Sequence, residues 1–411
     1  MGLFTTPSSF QWDHNMSLNS RANEISSFIV MDVLERAQEL TAAGREIIHL
    51  EIGEPDFATP EVITEAAIKA MADGHTHYTH SLGIKELREA VADHYEERYG
   101  VVVDPARVLV TAGTSTAMLL LFSALLESGQ EIIISDPHYA CYDNFINFVG
   151  GVPIRVPVRA EEGFQFRPAE IEAAMSPRTR GIFINSPSNP TGQVISAETL
   201  AAIADMAPGQ SGGPCVISDE IYHGLVYEGR EHSILEYTDN AFVLDGFSKR
   251  YAMCGWRLGY MIVPPNYIRP LQKMHQNFAI CAPSVSQWAG VAALRHAWPE
   301  VARMRSVYDT RRKRLIHGLR ELGFRIPVEP KGAFYIFTSC AHLDPDDYKL
   351  AFDILEKTGV AVAPGRDFGP SGHGFLRFSY CNSLENIERA LEHLNDYLFR
   401  YYPETIQSTS K

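Results

Sequence analysis

The sequence has 411 residues, 45% hydrophobic and 21% charged, which is typical of a globular protein with room for two or three domains. Its formal net charge of −14 argues against a nucleic-acid partner, because phosphate binding needs a basic surface. The longest apolar run, Met118 to Leu126, is far shorter than the ~18 residues of a membrane span.

The six cysteines include no CxxC pair, so a disulfide framework is not indicated. The N-terminus shows no basic stretch followed by an apolar one, so no signal peptide is expected. Together these features predict a protein of the reducing cytoplasm.

Residues 1–22 show no periodicity and are predicted to form an N-terminal arm. Apolar residues then recur at helical spacing, and glycines mark where helices stop. The elements predicted next are a helix from Ile25 to Leu40, a strand over 46–52, and helices at about 60–73 and 84–99.

From about residue 105 to 265, short apolar runs alternate with helical patterns, which indicates an α/β domain with a mostly parallel sheet covered on both faces. Seven strands are predicted: Val108–Thr111, Glu131–Ser135, Pro153–Pro157, Gly181–Asn185, Val216–Ser218, Ala241–Asp245 and Gly259–Val263.

Beyond Pro283 the pattern changes to a long helical stretch over 285–322, interrupted near Pro299. Helices near 345–358 and 383–400 then mix with strands predicted at Ala333–Thr338, Val360–Ala363 and Phe375–Ser379. This predicts a large domain over residues 60–295 and a smaller α+β domain built from residues 1–59 and 296–411.

Polar clusters follow four of the predicted strands, where ligands of open α/β sheets bind. Small residues in Thr111–Thr116 leave backbone N–H groups free to face an anion at a helix start, although many loops share this composition. The segment Asn185–Gly192 predicts a rigid turn. In Ser218–Tyr222, a carboxylate at a strand end precedes a phenol, which also fits a helix cap and a core tyrosine.

The fourth cluster places Lys249 after a strand end and Arg257 eight residues later. A lysine near a loop is usually solvated. A lysine that forms an imine must lose its proton, and a partly buried, cationic setting lowers its pKa.

Several motifs, in order, resemble the class-I aminotransferases of fold type I, over about residues 23–400. They are SNPTG at 188–192, SDEIY at 218–222, and Ser248-Lys249 followed by GWRLGY at 255–260, with GEPDF at 53–57 and PGRDFG at 364–369 in support. The resemblance implies pyridoxal 5′-phosphate (PLP) as cofactor and a seven-stranded, mostly parallel sheet flanked by helices, with a smaller α+β domain.

The resemblance also implies a role for individual residues. Lys249 would form the internal aldimine, Asp219 would pair with the pyridine nitrogen, and Tyr222 and Asn189 would contact the ring oxygen. Tyr139 would stack on the ring. The phosphate would be held by Arg257, Gly113, Thr114 and Ser115, with Ser248 replacing a serine that many relatives carry where this chain has Gly246.

Gly53, Asn189 and Arg377 match groups that hold the substrate, the guanidinium being a planar fork suited to a carboxylate. Tyr78 matches a tyrosine that reaches the phosphate of a neighbouring subunit, which implies a homodimer with shared active sites. No arginine stands out for a second substrate carboxylate, so a dicarboxylate preference is not predicted.

Three functions are compatible with these motifs. The favoured one is an aminotransferase that moves an amino group from an L-amino acid to a 2-oxo acid by a ping-pong mechanism. The alternatives are a PLP-dependent lyase of the same fold, of the C–S lyase or cyclopropane-forming synthase type, and a regulator with an aminotransferase-like domain. The regulator is disfavoured because the ~22 residues before the first helix cannot form a DNA-binding domain.

Two other clusters have simpler explanations. His75, His77 and His80 have no nearby Cys, Asp or Glu to complete a metal site, so a polar loop is expected and no metal is predicted. The basic run at 311–314 lies on a predicted helix of an acidic protein and is expected to be a solvated face.

Overall fold

The computed structural model of the protein describes residues 19–207 and 213–404, so most of the N-terminal arm predicted for residues 1–22 lies outside the described residues. Thirteen α-helices occur within these ranges: α1 (Ser20–Glu24), α2 (Ile29–Ala42), α3 (Glu61–Ala72), α4 (Lys85–Tyr99), α5 (Thr114–Leu125), α6 (Cys141–Phe148), α7 (Pro168–Ala174), α8 (Ala197–Asp205), α9 (Pro265–Phe278), α10 (Ser284–His296), α11 (Trp298–Glu321), α12 (Asp347–Thr358) and α13 (Leu384–Tyr401).

The same ranges contain twelve β-strands: β1 (Ile48–His49), β2 (Val108–Thr111), β3 (Glu131–Asp136), β4 (Val152–Pro157), β5 (Thr179–Asn185), β6 (Cys215–Asp219), β7 (Ala241–Gly246), β8 (Gly259–Ile262), β9 (Tyr335–Ser339), β10 (Val360–Ala361), β11 (Ala363–Pro364) and β12 (Phe375–Ser379). All seven strands predicted between residues 105 and 265 are confirmed, with ends that differ by at most two residues.

Those seven strands form one sheet in the order β2-β8-β7-β6-β5-β3-β4. Strand β8 runs antiparallel to both of its neighbours, and the other adjacent pairs are parallel. Successive side chains enter different cores: Ile132 of β3 packs in one cluster and Ile133 in another. Because both faces are covered, the inner strands are mainly apolar, as predicted, whereas the edge strand β4 is mostly exposed or half-buried and carries Arg155.

A second, smaller sheet consists of β11, β12 and β9, all antiparallel, and packs with α11, α12 and α13 around its own core. Strands β1 and β10 form a separate parallel pair. The predicted α/β fold with an additional α+β region is therefore confirmed.

Some elements differ from the prediction. The strand predicted over 46–52 is only β1, and the strand predicted at Val360–Ala363 divides into β10 and β11, which belong to different sheets. Helix α9 was not predicted, because Pro270 lies inside it. Its first turn carries a second proline, and both interrupt the helical pattern that sequence reasoning relies on.

The first long helix begins later than predicted. Helix α2 starts at Ile29, and Ile25 is 54% exposed in the preceding segment. The buried face consists of Val30, Val33, Ala37 and Leu40. The Asp367 carboxylate accepts hydrogen bonds from the N–H groups of Ile29 and Val30, which fixes where the helix begins.

No helix within residues 19–207 and 213–404 is both long enough and apolar enough to cross a bilayer.

Candidate active site

A cavity of about 260 Å³ lies beyond the carboxyl ends of the parallel strands. Asn185 and Asp219 are paired at the ends of β5 and β6, and Lys249 follows the end of β7 by three residues. Tyr335 and Arg377, from the smaller sheet, complete the opposite wall. The two sheets thus build one site together.

Most of the predicted site residues meet in this cavity. Those that line it are Gly53, Thr114, Ser115, Tyr139, Asn189, Asp219, Tyr222, Ser248, Lys249, Arg257 and Arg377. Gly113 adjoins Arg257 behind this lining. Tyr78 lies elsewhere, with 79% of its surface exposed, so any role at a phosphate would have to be in a second subunit.

Asp219 is a buried carboxylate with only two hydrogen bonds. The Tyr142 hydroxyl donates to Oδ2 at 2.7 Å, and the Ile221 N–H donates to Oδ1 at 3.2 Å. Burial raises the pKa of Asp219 to about 6, an effect that the Tyr142 hydrogen bond opposes. No basic side chain of the described residues forms an ion pair with it, so the site has a place for one cationic group.

The turn after β5 connects Asp219 to the smaller sheet. Asn185 Nδ2 donates to the Asp219 carbonyl at 3.0 Å, and Asn185 Oδ1 accepts from the Asn189 N–H at 2.9 Å. Asn189 Oδ1 then accepts from Arg377 Nη1 at 2.9 Å. The rigid turn predicted here is therefore also what orients Asn189 into the cavity.

Arg377 is a buried guanidinium, 2% exposed, whose partners are all neutral. It donates to Asn189 Oδ1 and to the Glu51 carbonyl, and its Nε has no partner among the described residues. The guanidinium carbon of Arg377 lies 4.2 Å from the centre of the Tyr335 ring. Since a buried cation needs a counter-charge, this arrangement favours a bound anion.

Lys249 is partly buried, and its Nζ donates to the Gly53 carbonyl at 2.7 Å. No acidic side chain pairs with Nζ in the described part of the chain. Gly53 is itself restricted, because a Cβ there would overlap the Tyr335 hydroxyl. The glycine therefore allows Lys249, Tyr335 and the main chain to approach one another.

An anion cradle forms where β2 meets α5. Gly113, with φ +84°, precedes Thr114 at the start of this 12-residue helix. The Arg257 guanidinium lies so close that a Cβ on Gly113 would be 2.6 Å from Nη2, and a Cβ on Gly259 would be 2.9 Å from the Thr114 nitrogen. Free N–H groups, the helix dipole and a guanidinium without a carboxylate partner are suited to a phosphate.

Two aromatic rings complete the site. The Tyr222 hydroxyl lies 2.9 Å from the Tyr335 hydroxyl. Burial keeps the pKa of Tyr222 well above its usual range. Tyr222 is therefore a neutral hydrogen-bond donor near neutral pH. Tyr139 packs edge-on against Phe28, with ring centres 5.8 Å apart.

The structure explains why Gly246 replaces a serine. A Cβ at this position would lie 3.1 Å from Ile221 Cδ1 and 3.2 Å from the Leu258 carbonyl oxygen. Such contacts are tighter than ordinary packing, and one of the neighbours is backbone. Ser248, in contrast, does line the cavity.

Sequence reasoning missed several lining residues. Tyr142 could have been found, because it lies three residues after Tyr139, and the two ring centres are 5.3 Å apart. Tyr335, Phe28 and Met31 had no local signal, since only the tertiary fold brings them to the cavity. The predicted histidine loop, for its part, packs His75 against Trp288, with ring centres 4.6 Å apart.

Comparison with known proteins agrees with this geometry. Residues 45–394 match the model of the family "Aminotransferase class I and II". The chain is 39% identical over 385 residues to a (5-formylfuran-3-yl)methyl phosphate transaminase of Methanocaldococcus jannaschii, which covers 93% of this chain and 99% of that protein. It is 38% identical over 381 residues to an aspartate/prephenate aminotransferase of Thermus thermophilus, covering 91% and 97% respectively.

A solved structure gives the same result. The aspartate aminotransferase from Thermus thermophilus with maleate superposes with a TM-score of 0.89 at 36% identity, over 93% of this chain and 100% of that chain. These relatives are transaminases by name, and none of them favours the lyase alternative. The chain therefore belongs to the aminotransferase class I and II family and is an aminotransferase.

Proposed function

We propose that this chain binds PLP, the cofactor its family is known to use, in the cavity described above. The observation that carries the proposal is the balance of unpaired charges. Three cations that line one cavity (Lys249, Arg257 and Arg377) have no carboxylate partner among the described residues, and one buried carboxylate there, Asp219, has no basic partner.

The residues present fit the cofactor group by group. Its phosphate suits the helix start at Thr114 and Ser115 beside Arg257, with Ser248 as a further donor. Its protonated ring nitrogen suits Asp219, and its ring oxygen suits Tyr222 and Asn189. Tyr139 provides the aromatic face. Gly113 keeps the cradle open, because any side chain there would meet the guanidinium.

When bound, PLP supplies an electron sink for the pair of electrons left on the substrate Cα. Lys249 Nζ would hold the cofactor and would take the proton from the substrate Cα as general base. Asp219 keeps the positive charge at the ring nitrogen by its own negative charge. Arg377 and Gly53 orient the substrate α-carboxylate, which the fork of the guanidinium favours.

Labelling of the lysine tests this assignment directly. The purified protein, loaded with PLP, is reduced with borohydride and digested, and the modified peptide is identified by mass spectrometry. We expect the pyridoxyl group on Lys249. A label on a different lysine, or no uptake of the cofactor, would contradict the proposal.

We further propose a two-fold homodimer in which Tyr78 reaches the partner's phosphate site. The 79% exposure of Tyr78 is compatible with this, because its side chain is accessible to a second subunit. Tyr78→Ala protein should bind PLP more weakly, and mixing it with inactive Lys249→Ala protein should raise activity at limiting PLP, since one site of each heterodimer carries neither change. No recovery, with heterodimers present, would contradict shared sites.

We propose a cytoplasmic location on the basis of the free cysteines. All six are free thiols in the structure, and three of them are buried. Such a set supports a reducing compartment, the cytoplasm. Protein recovered from cells with alkylated, fully reduced cysteines would agree, whereas native disulfides would not.

A further inference from the structure

Each basic side chain that lines the cavity already has a role in the proposed function. Lys249, Arg257 and Arg377 are its only basic lining residues within the described ranges. Under the proposed function, on which this inference rests, they hold the cofactor aldehyde, the phosphate and the substrate α-carboxylate. Within one subunit, the described residues therefore leave no cation for a second substrate carboxylate.

The remaining lining on one side is apolar. Phe28, Val30 and Met31 come from the start of α2, and Ile52 lines the same cavity. We call these four residues the apolar wall. Val30 is 2% exposed and Met31 is 41% exposed, so the wall extends from the interior to the surface of the protein.

The position of the wall is fixed by the segment that precedes β12. The Asp367 carboxylate accepts from the Ile29 N–H at 2.9 Å and from the Val30 N–H at 3.1 Å. A carboxylate at a helix N-terminus is favourable. The next residue, Phe368, packs its ring 4.7 Å from the Arg377 guanidinium carbon. The wall and the carboxylate-binding arginine are thus held by the same short segment.

We infer that the apolar wall receives the side chain of the amino donor, and that the donors are amino acids with apolar or aromatic side chains. A leucine-like or phenylalanine-like side chain gains free energy when it leaves water against this wall. A second carboxylate placed there would lose its hydration without an ion pair in return.

The direct test uses acids that bind but cannot react. The PLP-loaded enzyme is titrated with 4-methylpentanoate, 3-phenylpropanoate and succinate, which lack an amino group, and the change in cofactor absorbance is followed. We expect the two apolar acids to bind at least ten-fold more tightly than succinate. Equal or tighter binding of succinate would overturn the inference, because it would require a cation against the wall.

A pair of variants locates the side-chain site. Met31→Arg adds a cation at the exposed end of the apolar wall. The control, Met71→Arg, makes the same exchange in α3, at a residue that is 52% exposed and lies outside the cavity lining. We expect at least five-fold tighter succinate binding for Met31→Arg alone, with circular dichroism as the check of folding. The same change in both variants, or in neither, would overturn the placement of the wall.

An error in the inferred donor class and an error in the proposed function give different results. If Lys249 carries the cofactor label and Arg377→Lys weakens every acid, but succinate is preferred, only the inferred donor class is wrong. If Lys249 remains unlabelled, the proposed function is wrong and the inference fails with it.

Discussion

Two groups of buried charges lie side by side at the end of the seven-stranded sheet. The first is the active-site cavity, where Asp219 and Arg377 have no oppositely charged partner among the described residues. The second, which we call the paired cluster, contains Glu220 and Asp245. Asp245 forms an ion pair with Arg250 and accepts from the Tyr260 hydroxyl at 2.7 Å.

Glu220 shows the contrast most clearly, because it follows Asp219 directly. Its carboxyl group accepts hydrogen bonds from the hydroxyls of Ser218 and Ser233 and from the Ile234 N–H, all at 3.0 Å, and from Tyr95 at 3.1 Å. Asp219 has two such bonds. Burial alone therefore does not mark a functional charge, because both carboxyl groups are buried but Glu220 accepts twice as many hydrogen bonds as Asp219.

The largest effect is expected from Lys249→Ala. This change removes both the covalent attachment and the base that moves the Cα proton, so kcat should fall by at least about 1,000-fold, or about 4 kcal/mol of barrier. PLP should still bind through the cradle beside Arg257. Steady-state kinetics and cofactor absorbance provide the measurement, with Lys273→Ala on the exposed side of α9 as the control. A rate near that of the wild type would remove Lys249 from the mechanism.

Substitution of Glu220 in the paired cluster should change the free energy of unfolding and not kcat. Burial raises the pKa of Glu220 from its ordinary 4.5 to about 8. The folded chain then retains a proton that the unfolded chain releases, so this contribution to stability is complete below about pH 4.5 and is lost as the pH rises through 8. Glutamine cannot ionise and avoids this loss.

Glu220→Gln should therefore gain stability relative to the wild type between pH 5 and 8.5, by up to about 4 kcal/mol at 1.36 kcal/mol per pKa unit. Urea unfolding at several pH values measures this difference. Glu96→Gln, on the exposed side of α4, is the matched control. Parallel stability curves for wild type and Glu220→Gln would show that Glu220 ionises normally.

Asp219→Asn tests the neighbouring carboxylate. The amide is nearly isosteric and can still accept from Tyr142, but it cannot hold a positive charge at the ring nitrogen. We expect PLP to bind and the chemical step to slow by about 100-fold, which corresponds to about 2.7 kcal/mol. Single-turnover kinetics with a Cα-deuterated amino acid would measure this. Turnover within a few-fold of wild type would mean that Asp219 belongs with the structural charges.

Arg377→Lys is expected to have the smallest of these effects. Lysine keeps the charge but loses the planar fork, at a cost of about 2 kcal/mol for a charge-assisted hydrogen bond. The loss should appear in kcat/KM for every amino donor, because all of them share the α-carboxylate. A loss confined to some donors would mean that Arg377 contacts the side chain.

Much of the fold could be predicted because the pattern is local. The seven strands of the large sheet are short apolar runs bounded by polar turns, and each was found at its predicted place. Helix α9 was missed because Pro270 lies inside it, although its apolar residues recur at helical spacing.

The site residues also divide into those that a local motif predicts and those that it does not. Asp219, Lys249 and Arg257 lie in motifs that follow strands, so a single stretch of sequence predicts each one. Tyr335 and Met31 reach the cavity from distant parts of the chain, and their neighbours in sequence do not indicate this. Local motifs, through the family they resemble, predicted the residues to which we assign chemical roles, but the residues that shape the cavity required the tertiary structure.

The contact between Asp367 and the first turn of α2 also has a consequence for biosynthesis. The two sides are 338 positions apart. At roughly 5–20 residues per second, a ribosome needs about 15–70 seconds to supply Asp367 after Ile29 has been made. The sheet that ends at Ile262 is complete well before then. A nascent or truncated chain that stops short of Asp367 is therefore expected to lack the hydrogen bonds that fix the apolar wall.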